Sequence, residues 1–203
     1  NSPLGGGYLR SIASLYIRND RNLGFGKAVN QGLKLCNDAM IAVANNDVRV
    51  SPNWQAVTRE VFADNPLTYS CHFRMTHYDE PYQYGSNIVY TGKERWCTSS
   101  FFVINTIFKK FLFDEEYGIG GYEDYDYWYR VHGIGLKTAY TDRACYQHHH
   151  SSTQNILNQD ERKVRDEKSR AYFFSKFGKY PDEAFRARFP KQWEQDYMGG
   201  FSL

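Results

Sequence analysis

The short apolar run MIAVAN, Met40 to Asn45, stands between a segment of helical period, GKAVNQGLKL, and the polar triplet Asn45-Asn46-Asp47. A short apolar run of this kind, bounded by polar residues, is β-prone. SLYIR, Ser14 to Arg18, is β-prone as well. Strand, helix and strand in that order predict a β-α-β unit, with Ala28, Val29, Leu33 and Leu35 as the residues the helix can bury. The expected fold class is therefore α/β, a mostly parallel sheet flanked by helices. In such a sheet ligands gather beyond the C-terminal ends of the strands, so the triplet after MIAVAN is a first candidate site.

Further along, SPNWQAVTREVF reads as a helix with Ser51 as N-cap and Pro52 at its first position. Residues 66–95 are polar and aromatic, broken by Pro66, Pro81, Gly85 and Gly92, and predict hairpins or a long irregular connection. SSFFVIN is a candidate buried strand, YEDYDYWYRVH a helix ending before Gly133, and LKTAYT another strand. From Asn155 the chain predicts an amphipathic helical tail, with Val164, Ala171, Phe174 and Phe177 opposite dense charge and Phe173, Phe174 and Phe177 against the core. With 203 residues and 41% hydrophobic content there is material for one core plus an appendage, divided at 1–153 and 154–203.

Charge excludes one class of function. A net charge of +2 without a dominant Lys/Arg run gives no broad basic field for nucleic acid. Aromatic content of 17%, with 17 tyrosines, suits the flat faces and hydroxyls of sugars and nucleobases. Cys36, Cys71, Cys97 and Cys145 form no CxxC pair, so neither a zinc knuckle nor a disulfide framework is implied, and a reducing compartment is expected. No apolar run approaches the roughly 20 residues that span a bilayer, and NSPLGGGYLR has no signal-peptide core. The expected location is cytoplasmic, with at most peripheral contact at the inner face of a membrane.

Three polar segments and one acidic cluster carry the chemistry. Arg21 to Gly32, RNLGFGKAVNQG, is a glycine-punctuated turn opening a helix, where backbone N–H groups can approach a nucleotide. Asn45-Asn46-Asp47 brings two amides and a carboxylate to the end of a strand, and HHHSST, His148 to Thr153, supplies imidazoles suited to a metal. GGYEDYDYWYR crowds Glu123, Asp124 and Asp126 into four positions. One or two acids would cap a helix; three raise one another's pKa or recruit a cation, as in metal and acid/base sites.

Taken in order, NLGFGKAVNQG, NND, FDEEYGIGGYEDYDYWYRVHGIG and ACYQHHHSST resemble the family 2 glycosyltransferases, inverting enzymes of the GT-A fold, and especially their rhamnosyltransferase-like branch. The resemblance implies a GT-A-like core over 1–153 and a helical C-terminal extension packed on it. It implies a nucleotide-sugar donor (UDP, GDP or dTDP) near Asn22, Gly24, Gly26, Lys27, Asn30 and Asn46. Asp47 stands where the last carboxylate of the DxD motif meets a divalent Mn2+ or Mg2+, and His148 where a histidine completes the metal shell. Asn45 replaces the first aspartate of that motif and removes one charge. Asp124 stands at the general base of the ED motif, with Glu123 and Asp126 orienting the acceptor or holding the segment. Relatives open with a further β-α-β unit, so the chain is expected to be N-terminally short. The acceptor would be a glycan, lipid-linked or protein hydroxyl.

Two other classes compete. A transferase-like module that only binds carbohydrate would use Tyr122, Tyr125, Tyr127 and Trp128 and would lack metal-linked nucleotide affinity. A metal-dependent hydrolase would use the histidine run, although no HExxH-like spacing is present.

Overall fold

A computed structural model describes residues 15–91, 100–119, 121–149, 159–180 and 183. In chain order the elements are α1 (Phe25–Leu35), β1 (Met40–Ala44), β2 (Val48–Val50), α2 (Trp54–Asp64), β3 (Thr68–Thr76), β4 (Ile88–Thr91), β5 (Phe101–Asn105), α3 (Glu123–Gly133), β6 (Lys137–His148) and α4 (Gln159–Phe177), with 3-10 turns at Thr106–Phe108 and Glu115–Tyr117. Ser14, Cys97, His150 to Thr153 and the tail beyond Glu183 lie outside the described residues.

One sheet runs in the order β1-β5-β3-β6-β2, and β4 also pairs with β6. The α/β layering is as expected, but the strand pairing is mixed rather than mostly parallel. Among the described strands only β3–β6 is parallel, while β1–β5, β3–β5, β4–β6 and β2–β6 are antiparallel. The reason is the placement of β5. It lies between β1 and β3 and runs against both, so these two share a direction with β6 without bonding each other. β2 and β4 lie end to end along β6, one pairing with Tyr146 to His148 and the other with Thr138 to Thr141. Between them the β3–β6 register jumps from Phe73↔Thr141 to Arg74↔Cys145. Asp142, inside that bulge, accepts from the N–H of Asn87 (2.7 Å) and from its Nδ2 (2.9 Å), which fixes the approach of β4.

Alternation along β5 divides the core. Phe102 and Ile104 join Leu33, Ile41, Tyr69, Tyr127, Trp128 and Val131 on the face covered by α1 and α3. Phe101 and Val103 join Val57, Val61, Cys71, Phe73 and Tyr146 on the face covered by α2. The register shift at Thr68/Ser70 turns Tyr69 onto the first face although Cys71 and Phe73 occupy the second.

Several local expectations are corrected. Leu15 to Arg18 forms no strand, and Leu15 and Ile17 are exposed, because no described strand pairs with this segment. In α1 the buried face is Gly26, Asn30 and Leu33 rather than Ala28 or Leu35, both exposed. The glycine allows close approach to the segment beyond β5, where a Cβ at position 26 would stand 3.0 Å from the Phe113 Cβ. α2 starts at Trp54 with Asn53 as N-cap. Ser51 is instead buried against β6, its N–H donating to the Cys145 carbonyl (2.9 Å) and its Oγ accepting from the Cys145 N–H (3.0 Å). Residues 66–95 contain β3, buried over most of its length, at the centre of the sheet. LKTAYT is only the first half of β6, which continues to His148.

Candidate active site

β1 ends at Ala44 and β6 at His148, and these strands share a direction, so Asn45-Asn46-Asp47 and His148 meet at one edge of the sheet. The short strand β2 fixes the contact, because Val48 pairs with His148 and the His149 N–H donates to the Asp47 carbonyl (2.9 Å). Asp47 Oδ1 lies 3.2 Å from His148 Nε2. That oxygen is buried and makes no hydrogen bond among the described residues, so the two atoms face each other without the geometry of a bond. Ser100 Oγ stands 3.3 Å from the imidazole nitrogens, and the Asn45 N–H donates to the Ser100 carbonyl (2.8 Å). Asn46 is exposed beside the pair. Sequence reasoning did not single out Ser100; a lone serine opening a strand carries no signal of its own.

α3 leads through the short turn Ile134 to Leu136 into the start of β6. It therefore runs back across the sheet, and its first turn points toward the edge where β1 and β6 end. Tyr122, at the N-cap, is left-handed (φ 71°, ψ −1°), and no other described non-glycine residue has positive φ. A backbone of this kind in a bulky residue stores strain and is found at sites where surroundings dictate direction.

The acids of this turn separate into two roles. Asp126 is fully buried and neutralised: Arg130 Nε reaches its Oδ1 at 2.5 Å, Lys176 of α4 meets its Oδ2, and the Tyr117 hydroxyl donates to Oδ2 at 3.3 Å. It holds the segment. Asp124 accepts from the Tyr125 N–H (2.9 Å), and burial nevertheless raises its carboxyl to about 6. Glu123 is raised to about 7, first by burial, then by the charges of Asp124 and of Asp166 on α4. Its Oε2 is buried without a hydrogen-bond partner among the described residues. A carboxyl pair whose pKa values lie near neutrality is suited to accept and hold protons.

The glycine-rich turn packs on the segment leading to this helix. Gly24 (φ 85°) abuts Gly118, whose carbonyl oxygen a Cβ would overlap, and its N–H donates to Asn22 Oδ1 (3.0 Å). Asn30 is buried and saturates both of its donors, on the Phe113 carbonyl (2.9 Å) and Glu115 Oε1 (3.0 Å), while its Oδ1 accepts from the Phe113 N–H (2.9 Å). Lys27 and Lys34 each approach Glu115 at 3.5 Å. Asn30 thus clamps residues 113–115. A buried amide at helical spacing from a glycine gives this away only once its partner is known.

Among the described residues no group of three or more His, Cys, Asp or Glu gathers around one point, and no helix is long and apolar enough to cross a membrane. The crystal structure of GalNAc-T7 with UDP, GalNAc and Mn2+ is similar to this chain at 13% identity, with a TM-score of 0.62, over 98% of this chain and 45% of that one. This likeness shows the GT-A fold, and the chain spans less than half the length of that relative. No curated protein sequence matches. The family described as glycosyl transferase family 2 matches residues 10–128. Since that match covers more than half of the chain and ends inside α3, just past the paired acids, the protein belongs to glycosyl transferase family 2.

Proposed function

We propose that this protein is an inverting glycosyltransferase of the rhamnosyltransferase-like branch, moving a sugar from a UDP, GDP or dTDP donor to a hydroxyl of a glycan, lipid-linked or protein acceptor. The observation that carries the reading is the approach of Asp47 Oδ1 to His148 Nε2 without a hydrogen bond. Neighbouring ligands of an octahedral cation at 2.0–2.1 Å stand about 3 Å apart, so the spacing fits two protein ligands of one divalent ion. The UDP and Mn2+ in the GalNAc-T7 structure support a nucleotide and a cation at a site of this fold. A divalent cation held by Asp47 and His148 would stabilise the charge that develops on the departing diphosphate. With two protein ligands, most of its shell is left to phosphate and water.

Asp124 is the general base. Inversion requires the acceptor hydroxyl to attack the anomeric carbon opposite the leaving diphosphate, and its proton passes to the Asp124 carboxylate as the new glycosidic bond forms. Glu123, with the higher pKa, holds its proton near neutral pH and leaves the negative charge on its neighbour. Asp126 takes no part in proton transfer, since its oxygens are engaged by Arg130, Lys176 and Tyr117.

Asp124→Asn keeps the shape and removes the proton acceptor. Transfer should fall by about 100-fold or more while metal-linked nucleotide binding persists. Near-normal transfer with a lowered melting temperature would instead identify the acids as a helix cap.

A further inference from the structure

We infer that α4, which lies beyond the family match, is a working part of this site: Lys176 positions the carboxylate turn Tyr122 to Asp124 by locking Asp126. The inference rests on the transferase reading for its catalytic consequence and on contacts within the fold for the lock itself. Lys176 Nζ joins two segments, meeting Asp114 Oδ2 at 2.6 Å and Asp126 Oδ2. Tyr172, one turn earlier, donates to the same Asp114 oxygen at 3.1 Å. Burial opposes ionisation of Asp114, but the hydrogen bonds from Lys176, the Glu116 N–H and Tyr172 outweigh it and hold the carboxyl below its ordinary value.

The same helix restrains the strained residue. Phe173 of α4 is buried with Tyr117, and Tyr122, Tyr125, Tyr129 and Phe177 pack against that pair. Tyr122 is held left-handed inside this aromatic cluster, and its carbonyl accepts the Asp126 N–H (3.0 Å) that starts α3. Asp124 therefore sits between a backbone strained at Tyr122 and a carboxylate fixed at Asp126. With Lys176 removed, one oxygen of a fully buried charge keeps only the Tyr117 hydroxyl, and the turn must shift or admit water. A displacement of about 1 Å at a base costs on the order of 100-fold in rate. Asp166 on α4 acts on the same turn from another side, facing Gly121 and adding to the field that keeps Glu123 protonated.

The test uses the full chain with Lys176→Met and Lys176→Arg, and reads kcat, donor KM and hydrogen exchange of the Tyr125 to Tyr127 amides. Lys176→Met should lower kcat at least 10-fold, leave donor KM within about twofold and speed exchange at least 10-fold. Lys176→Arg, which restores the cation, should recover most of the turnover. Turnover of Lys176→Met within twofold of wild type, or unchanged exchange, overturns the inference. If the wild-type chain transfers from no donor, the transferase reading falls and the exchange rates alone decide the lock. Should Lys176→Met fail to fold, Tyr172→Phe removes a single hydrogen bond from Asp114 and is expected to speed exchange about threefold; no change there overturns the lock.

Discussion

Asp124 and Glu123 are adjacent carboxyls whose environments push both pKa values up by different amounts, to about 6 and about 7. Turnover should therefore rise with pH through about 6 and level above it, and Asp124→Asn should remove that acid limb along with most of the rate. Stability runs the other way. Both groups bind protons more tightly in the fold than in the unfolded chain, so their contribution is present below about pH 4 and is lost as pH rises toward 7. Glu123→Gln should accordingly raise stability by about 1–3 kcal/mol at pH 8 and by nothing at pH 4, measured by urea unfolding. Equal stability of the variant and wild type at pH 8 would show that Glu123 is not ionised in a buried place. The crowding of three acids was legible in the sequence, but not their division. That depends on Lys176, fifty residues away, whose position no local pattern announces.

At the scale of elements, the apolar strand β1, the strand β5 and the helix α3 were legible because each has its own periodicity or run of apolar side chains. β3 was hidden. Thr68, Ser70, His72 and Thr76 are polar yet buried: Ser70 Oγ pairs with His72 Nε2 at 3.0 Å and Thr76 Oγ1 donates to the Tyr146 carbonyl at 3.4 Å, while Thr68 Oγ1 has no hydrogen-bond partner among the described residues. Leu15 to Arg18 carried the strand signal, yet no described strand pairs with it, since β propensity is a weak guide without its sheet context. At the start of α1, Gly24 and Gly26 pack closely on residues 113–118. Gly24→Ala should then destabilise the fold by about 2 kcal/mol or more, from the left-handed φ together with overlap at Gly118. Thermal unfolding of that variant checks this, and an unchanged melting temperature would mean that the turn stands off the segment.

For the whole molecule, buried polar groups pack among the aromatic rings on the face of the sheet covered by α1 and α3. His72 sits at the centre, stacked on Phe102 (5.3 Å) and edge-on to Trp128 (5.0 Å). Burial, assisted by nearby His132, lowers its pKa to about 3. The neutral form is the folded form, so stability from this group is complete above about pH 6.5 and declines by about 1.4 kcal/mol per unit as pH falls toward 3. His72→Phe should flatten that decline between pH 6 and 4, and an unaltered slope would place the acid lability elsewhere. The wider account stands on the sheet edge where β1 and β6 end with Asp47 and His148 in contact. Titration calorimetry of UDP, GDP and dTDP into the full chain, with Mn2+ and with chelator, tests it most directly. The account predicts that at least one nucleotide binds with Mn2+, that chelation abolishes the binding, and that Asp47→Ala abolishes it in a protein that still folds. Binding that is indifferent to the metal and to Asp47, or no nucleotide binding at all, would contradict it.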